Sequence, residues 1–206
     1  MKRTLLLSAG ALSALLLAGV AYSDPVDQPG HQSPAPGTTN DTMSSVKDAA
    51  RHTEGVISAE MTTTLKGFAA EAAQSDMYEV AAAKIAKERT SNADVKAFAT
   101  KMIAAHTATS DKLKALLISE KTGITPPATL DDRHQGLIDE LRGAKDADFD
   151  GRYIAQQVDA HKEALILMNG YAKDGDVTAI KKFAAKTAPA VQSHLNMAEH
   201  MAKSTT

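Results

Sequence analysis

Residues 65–89, LKGFAAEAAQSDMYEVAAAKIAKER, decide the fold. Leu65, Phe68, Ala72, Ser75, Glu79, Ala82 and Ala86 recur at alternating steps of three and four, which lays them in one stripe along a helix of about 25 residues. Thr90-Ser91-Asn92 then interrupts the pattern and supplies N-cap candidates for a second helix. Its stripe reads Val95, Phe98, Met102, His106, Thr109, Leu113 and Leu116, and Lys121-Thr122-Gly123 ends it on an expected left-handed glycine.

Beyond that stop, Pro126-Pro127 forbids immediate continuation, and Asp131 to Arg142 reads as a shorter helix with Leu137, Ile138 and Leu141 on one side. A third long helix begins near Asp148 and carries Ile154, Val158, His161, Leu165, Met168 and Ala172 in one seam. In Asp174-Gly175-Asp176, Gly175 reads as a C-cap and Asp176 as the N-cap of a fourth helix. The fourth seam is Val177, Ile180, Ala184, Thr187, Val191, His194, Ala198 and Met201. Short links force the first and second helices, and the third and fourth, into antiparallel hairpins. The long stretch between Thr122 and Ala147 can carry the chain from one end of the bundle to the other. The expected fold is therefore all-α, a ferritin-like four-helix bundle over 63–203 with one long crossover containing a short helix. Val95-Lys96-Ala97-Phe98-Ala99 and Ile180-Lys181-Lys182-Phe183-Ala184 repeat one pattern in the two hairpins, as pseudo-twofold pairing would require.

Upstream, Lys2 and Arg3 precede an apolar run from Leu5 to Val20, and Ala21-Tyr22-Ser23 offers a small-x-small cleavage step. That order predicts a signal peptide over 1–23, and export to the periplasm, the cell envelope or the medium. An uncleaved anchor is the alternative, disfavoured because the run falls short of the roughly 20 apolar residues that span a bilayer. Pro25, Pro29, Pro34 and Pro36, with Gly30 and Gly37, mark 24–62 as a disordered linker containing at most a short helix built on Val46, Ala49, Ala50, Val56 and Ile57. With no cysteine in the chain, disulfides, thiolate metal sites, acyl anchors and covalent haem are excluded. Loss of Lys2 and Arg3 leaves 21 basic against 25 acidic residues, a surface that argues against nucleic acid as a partner.

Each long seam contains one group that an apolar core should reject: Glu79, His106, His161 and His194. They lie about 13 to 18 residues from their helix starts, and with the crossover topology they share one layer to within roughly 7 Å. Buried imidazoles and a carboxylate must pair with each other, with water or with a metal. The set suits one transition-metal ion such as Fe, Mn, Zn or Cu, and the alternative is a metal-free Glu–His network inside a structural or interaction module. Asp76 and Asp159 are candidates for supporting hydrogen bonds, whereas His52, His134 and His200 read as solvated. Phe68, Phe98, Phe149 and Phe183 read as core plugs on either side of the layer, and Pro189 as an interior proline that can bend the fourth helix. No nucleophile elbow, phosphate loop or dinucleotide pattern is present, so an enzyme is the less expected reading; a metal-dependent oxidoreductase would need an open coordination position.

These residues carry a family resemblance. Phe68 with Glu79, Val95-Lys96-Ala97-Phe98-Ala99 with Met102 and His106, Phe149-Asp150-x-x-Tyr153 with His161, and Phe183-Ala184 with Pro189 and His194 together resemble the exported bacterial proteins grouped as domain of unknown function 4142. The resemblance covers about Leu65 to Ala202 and implies a ferritin-like bundle, an exported location and no established activity; the structural or interaction module, the alternative above, would dock its linker and outer helix faces on an envelope partner. Where that family commonly has an aspartate just before the second-helix histidine, this chain has Ala105. Ile103, Val158 and Val191 stand three residues before the histidines, so the Glu-x-x-His pairs of di-iron ferritins are lacking.

Overall fold

A computed structural model describes residues 35–38 and 40–204; the expected signal peptide and the first part of the expected linker lie outside the described residues. Asn40, Thr64, Asn92 and Asp131 each turn a side-chain oxygen onto a backbone N–H two or three residues on, and a helix follows each. The described chain is all-α, with helices α1 (Asp41–Met61), α2 (Leu65–Arg89), α3 (Ala93–Ser119), α4 (Asp132–Gly143), α5 (Asp146–Asp174) and α6 (Thr178–Ser204). Lys121 and Gly123, with φ of 52° and 69°, form the left-handed stop after α3.

The four long helices α2, α3, α5 and α6 pack as two hairpins. At one end the Leu65 N–H donates to Asp176 Oδ2 at 3.3 Å, and the rings of Phe68 and Tyr171 stack with centroids 4.2 Å apart. At the other end the Arg89 guanidinium donates to the carbonyls of Leu141, Arg142 and Ala144 and lies 4.3 Å from the centroid of the Phe149 ring. The start of α2 thus meets the end of α5, and the end of α2 meets its start. The crossover between α3 and α5 accordingly travels the length of the bundle, and Arg89 anchors its far end by satisfying carbonyls that the C-terminus of α4 leaves free. Asp176 differs from expectation: its carboxylate accepts from the start of α2 and from the Tyr171 hydroxyl at 2.7 Å, tying the two hairpins together.

The second difference is α1. Residues 41–61 of the expected linker form a full helix laid along α5 and α4, and its bundle-facing side is polar. Ser44, Asp48, His52, Gly55 and Ala59 face inward, while Met43, Val46, Ile57 and Met61 are exposed. An apolar stripe that points outward is the reverse of the pattern by which surface helices are read, which is why the segment resisted assignment.

Two apolar clusters fill the interior. One gathers Phe98, Phe149, Tyr153 and Leu141; the other gathers Phe68, Phe183, Tyr171 and Leu113. Each buried phenylalanine contributes about 1.5–3 kcal/mol of transfer free energy. The histidine layer lies between the clusters, so its geometry is fixed from both sides. Pro189 is exposed inside α6, and the helix runs through it. Among the described residues no helix is long and apolar enough to cross a membrane.

Candidate metal centre

His106 on α3, His161 on α5 and His194 on α6 are all buried, and one ring nitrogen of each lies within 4.8 Å of the other two. The ring centroids are 5.5, 5.5 and 5.7 Å apart, with rings tilted or edge-on rather than stacked. His106 Nε2, His161 Nε2 and His194 Nδ1 have no hydrogen-bond partner among the described residues. Buried polar atoms are nearly always satisfied, and these exceptions on three neighbouring rings make the layer a candidate ligand site.

The opposite nitrogens of two rings are held. His106 Nδ1 lies 2.8 Å from Asp76 Oδ1, while the other oxygen of Asp76 accepts from Ser110 Oγ at 3.0 Å. His161 Nδ1 donates to the Gln157 carbonyl at 2.7 Å. With a proton held on Nδ1 of His161 its Nε2 lone pair is free, whereas on His106 the Asp76 carboxylate orients the ring and a bound ion would displace the proton from Nε2.

Burial fixes the charge states. Desolvation, reinforced by His106, pushes His161 down to about 3, the Gln157 carbonyl opposing only in part. Desolvation, with His106 and Lys101, takes His194 down to about 4. Both are neutral at physiological pH. For His106 desolvation also acts downward, but the Asp76 hydrogen bond and the charges of Glu79 and Asp76 outweigh it and hold this ring above the ordinary imidazole value. Burial raises Asp76 in turn, against the hydrogen bonds it accepts from His106 and Ser110.

Glu79, the fourth residue expected in the layer, is buried beside the trio rather than in it. Its Oε1 stands 3.6 Å from His161 Nδ1, on the side of the ring that faces Gln157, and its Oε2 has no hydrogen-bond partner among the described residues. The reason is register on α2: Asp76, one turn earlier, takes the place against α3, and Glu79 is turned toward α5. Burial pushes its carboxyl up to about 7, against the opposing charge of His106 and the Gln157 amide. The Tyr153 hydroxyl is a further buried atom without a hydrogen bond among the described residues, and neither it nor Gln157 is read from the sequence as part of the site.

The remaining expectations divide. Asp76 supports His106, so the carboxylate that Ala105 cannot supply comes from the neighbouring helix. Asp159 is part-exposed and lies 3.8 Å from His52. His134, expected in solvent, is buried: its Nδ1 lies 2.8 Å from the Asp131 carboxylate, and its ring packs beside Tyr78. His52 is half-buried against Glu163 at 2.7 Å, and His200 is exposed.

These features define an all-helical bundle with a buried cluster of three histidines at mid-height. The chain belongs to the family described as Domain of unknown function (DUF4142), whose model matches residues 50–201, from within α1 to near the end of α6. No curated protein and no solved structure matches the chain significantly.

Proposed function

We propose that this protein binds one divalent transition-metal ion through His106, His161 and His194. The observation that carries this reading is the convergence of three unpartnered imidazole nitrogens, two of them on rings whose far sides are hydrogen-bonded. A tetrahedral ion with bonds of about 2.1 Å sets its ligand atoms about 3.4 Å apart, so the rings need to close by at most about an ångström. Three imidazole ligands without a carboxylate favour zinc or copper over manganese, which prefers oxygen, and binding would release the second proton of His106. Three protein ligands also leave a fourth position for water or another small ligand.

The charged-then-apolar order of Lys2, Arg3 and Leu5–Val20 supports export, so the centre would serve in the cell envelope. There the protein would act as a ferritin-like metal-binding bundle rather than as an enzyme of known class.

Zinc titration followed by thermal unfolding tests the reading. At a hundredfold excess over Kd, binding adds about 2.7 kcal/mol, which raises Tm by roughly 5–11 °C for a domain of this size. The rise is expected in the native chain and absent in His161→Ala. A native chain that shows no rise with zinc or with copper would rule the centre out.

A further inference from the structure

Beside the histidines a cavity of about 190 Å³ is lined by both α3 and α6. His106 and His194 form part of its wall, and His161, fully buried, is not among its lining residues. The outer rim is Ala105 and Thr109 on α3 with Thr187 and Ala190 on α6, all at least partly exposed. Small side chains at these four positions keep the two helices from sealing the seam. His106 Nε2 and His194 Nδ1, each on a ring more than nine-tenths buried, are the unpartnered atoms of that wall.

We infer that this cavity is the access route to the open coordination position of the proposed metal centre, and that it admits small inorganic anions of two or three heavy atoms. The inference rests on the metal-binding reading above. Size sets the class of ligand: a water occupies about 30 Å³, so the space holds a few small molecules, whereas organic ligands of drug size need about 300 Å³ or more. Charge sets its sign. Imidazole ligands, neutral once the ion has displaced the second proton of His106, leave the ion's two positive charges uncompensated at first hand, and the only carboxylate lining the cavity among the described residues, Asp76, is hydrogen-bonded to His106 and Ser110. On α3 the rim is bracketed by Lys101, 3.5 Å from Met197 Sδ, and Lys112, 6.0 Å from the Phe183 ring centroid. Both are cations positioned along the same seam.

The test uses the full mature chain loaded with Co(II), whose visible absorption reports coordination, titrated with azide. Ala190→Leu and Ala105→Leu place a larger side chain on opposite sides of the rim without touching a histidine. Native protein is expected to give a saturable azide-dependent change in the cobalt spectrum. Each variant should bind cobalt with unchanged stoichiometry and thermal shift, yet require at least tenfold more azide. Azide responses equal to the native one in both variants would overturn the access route, as would a cobalt-loaded native protein that ignores azide. Failure to take up cobalt is a distinct outcome, seen in metal content before azide is added, and would remove the centre and the route together.

Discussion

The α1 interface and the histidine layer both bury ionisable side chains, but they satisfy them in opposite ways. Between α1, α4 and α5, Arg152 meets Asp48 at 2.9 Å, Arg133 meets Glu163 at 2.8 Å and Lys47 meets Glu140 at 3.0 Å. Each charge there faces an opposite one, and the pairs hold a helix whose own apolar residues point away from the bundle. In the histidine layer two rings are held on one side by Asp76 and Gln157, and all three direct a free nitrogen at the others. Asp48 Oδ1 and Glu140 Oε2, left without a hydrogen bond at that interface among the described residues, belong to carboxylates whose other oxygen meets a cation. On the reading proposed above, the layer of rings with free nitrogens takes a ligand, and breaking each region should show the difference.

The largest expected effect is at His161. Its replacement by alanine removes one of three ligands and should lower metal affinity by more than about a hundredfold, measured by competition with a chromophoric chelator, because loss of a supporting group alone costs 10–100-fold. Arg133→Ala attacks the other region. It leaves Glu163, at a mostly buried position, with His52 as its remaining partner and should cost about 1–2 kcal/mol in urea unfolding while leaving metal affinity within about twofold. Asp76→Asn separates support from ligation: affinity should fall by about 10–100-fold with the fold intact, since the amide holds the His106 ring less strongly than the carboxylate.

Glu79 gives a pH-dependent effect. Its carboxyl rises from 4.5 to about 7 on folding, so between those values the folded chain holds a proton that the unfolded chain has released. Its contribution is therefore present below about 4.5 and lost as pH rises through about 7. Glu79→Gln should be more stable than the native chain at pH 8, by roughly 1–3 kcal/mol, and near-equal at pH 4.5. His161 and His194 act in the opposite direction, because their depressed values make acidification below about 6.5 destabilising. The smallest effect is expected on the outward face of α1. Ile57→Ser should change stability by under about 0.5 kcal/mol, since its side chain is already in water.

The bundle was legible because the seams of α2, α3, α5 and α6 repeat at three and four, and because the turn residues of the two hairpins leave no room for other pairings. The three histidines were legible for the same reason: each is a polar interruption of an apolar seam. Glu79 shows the limit of that reasoning, since a seam position gives depth in the bundle but not the direction of a long side chain. α1 was illegible because its buried face is made of ion pairs whose partners lie about 90 to 110 residues away, at Glu140, Arg152 and Glu163. Periodicity carries no information about pairs so distant. His134 was misplaced on similar grounds, as its burial depends on Tyr78 from another helix.

Metal content per chain tests the central claim most directly. Purified protein equilibrated with excess zinc or copper and then gel-filtered should retain one ion per chain, and a variant with His106, His161 and His194 all replaced by alanine should retain less than a tenth. Equal retention by the two proteins, or background metal in the native one, would contradict the account.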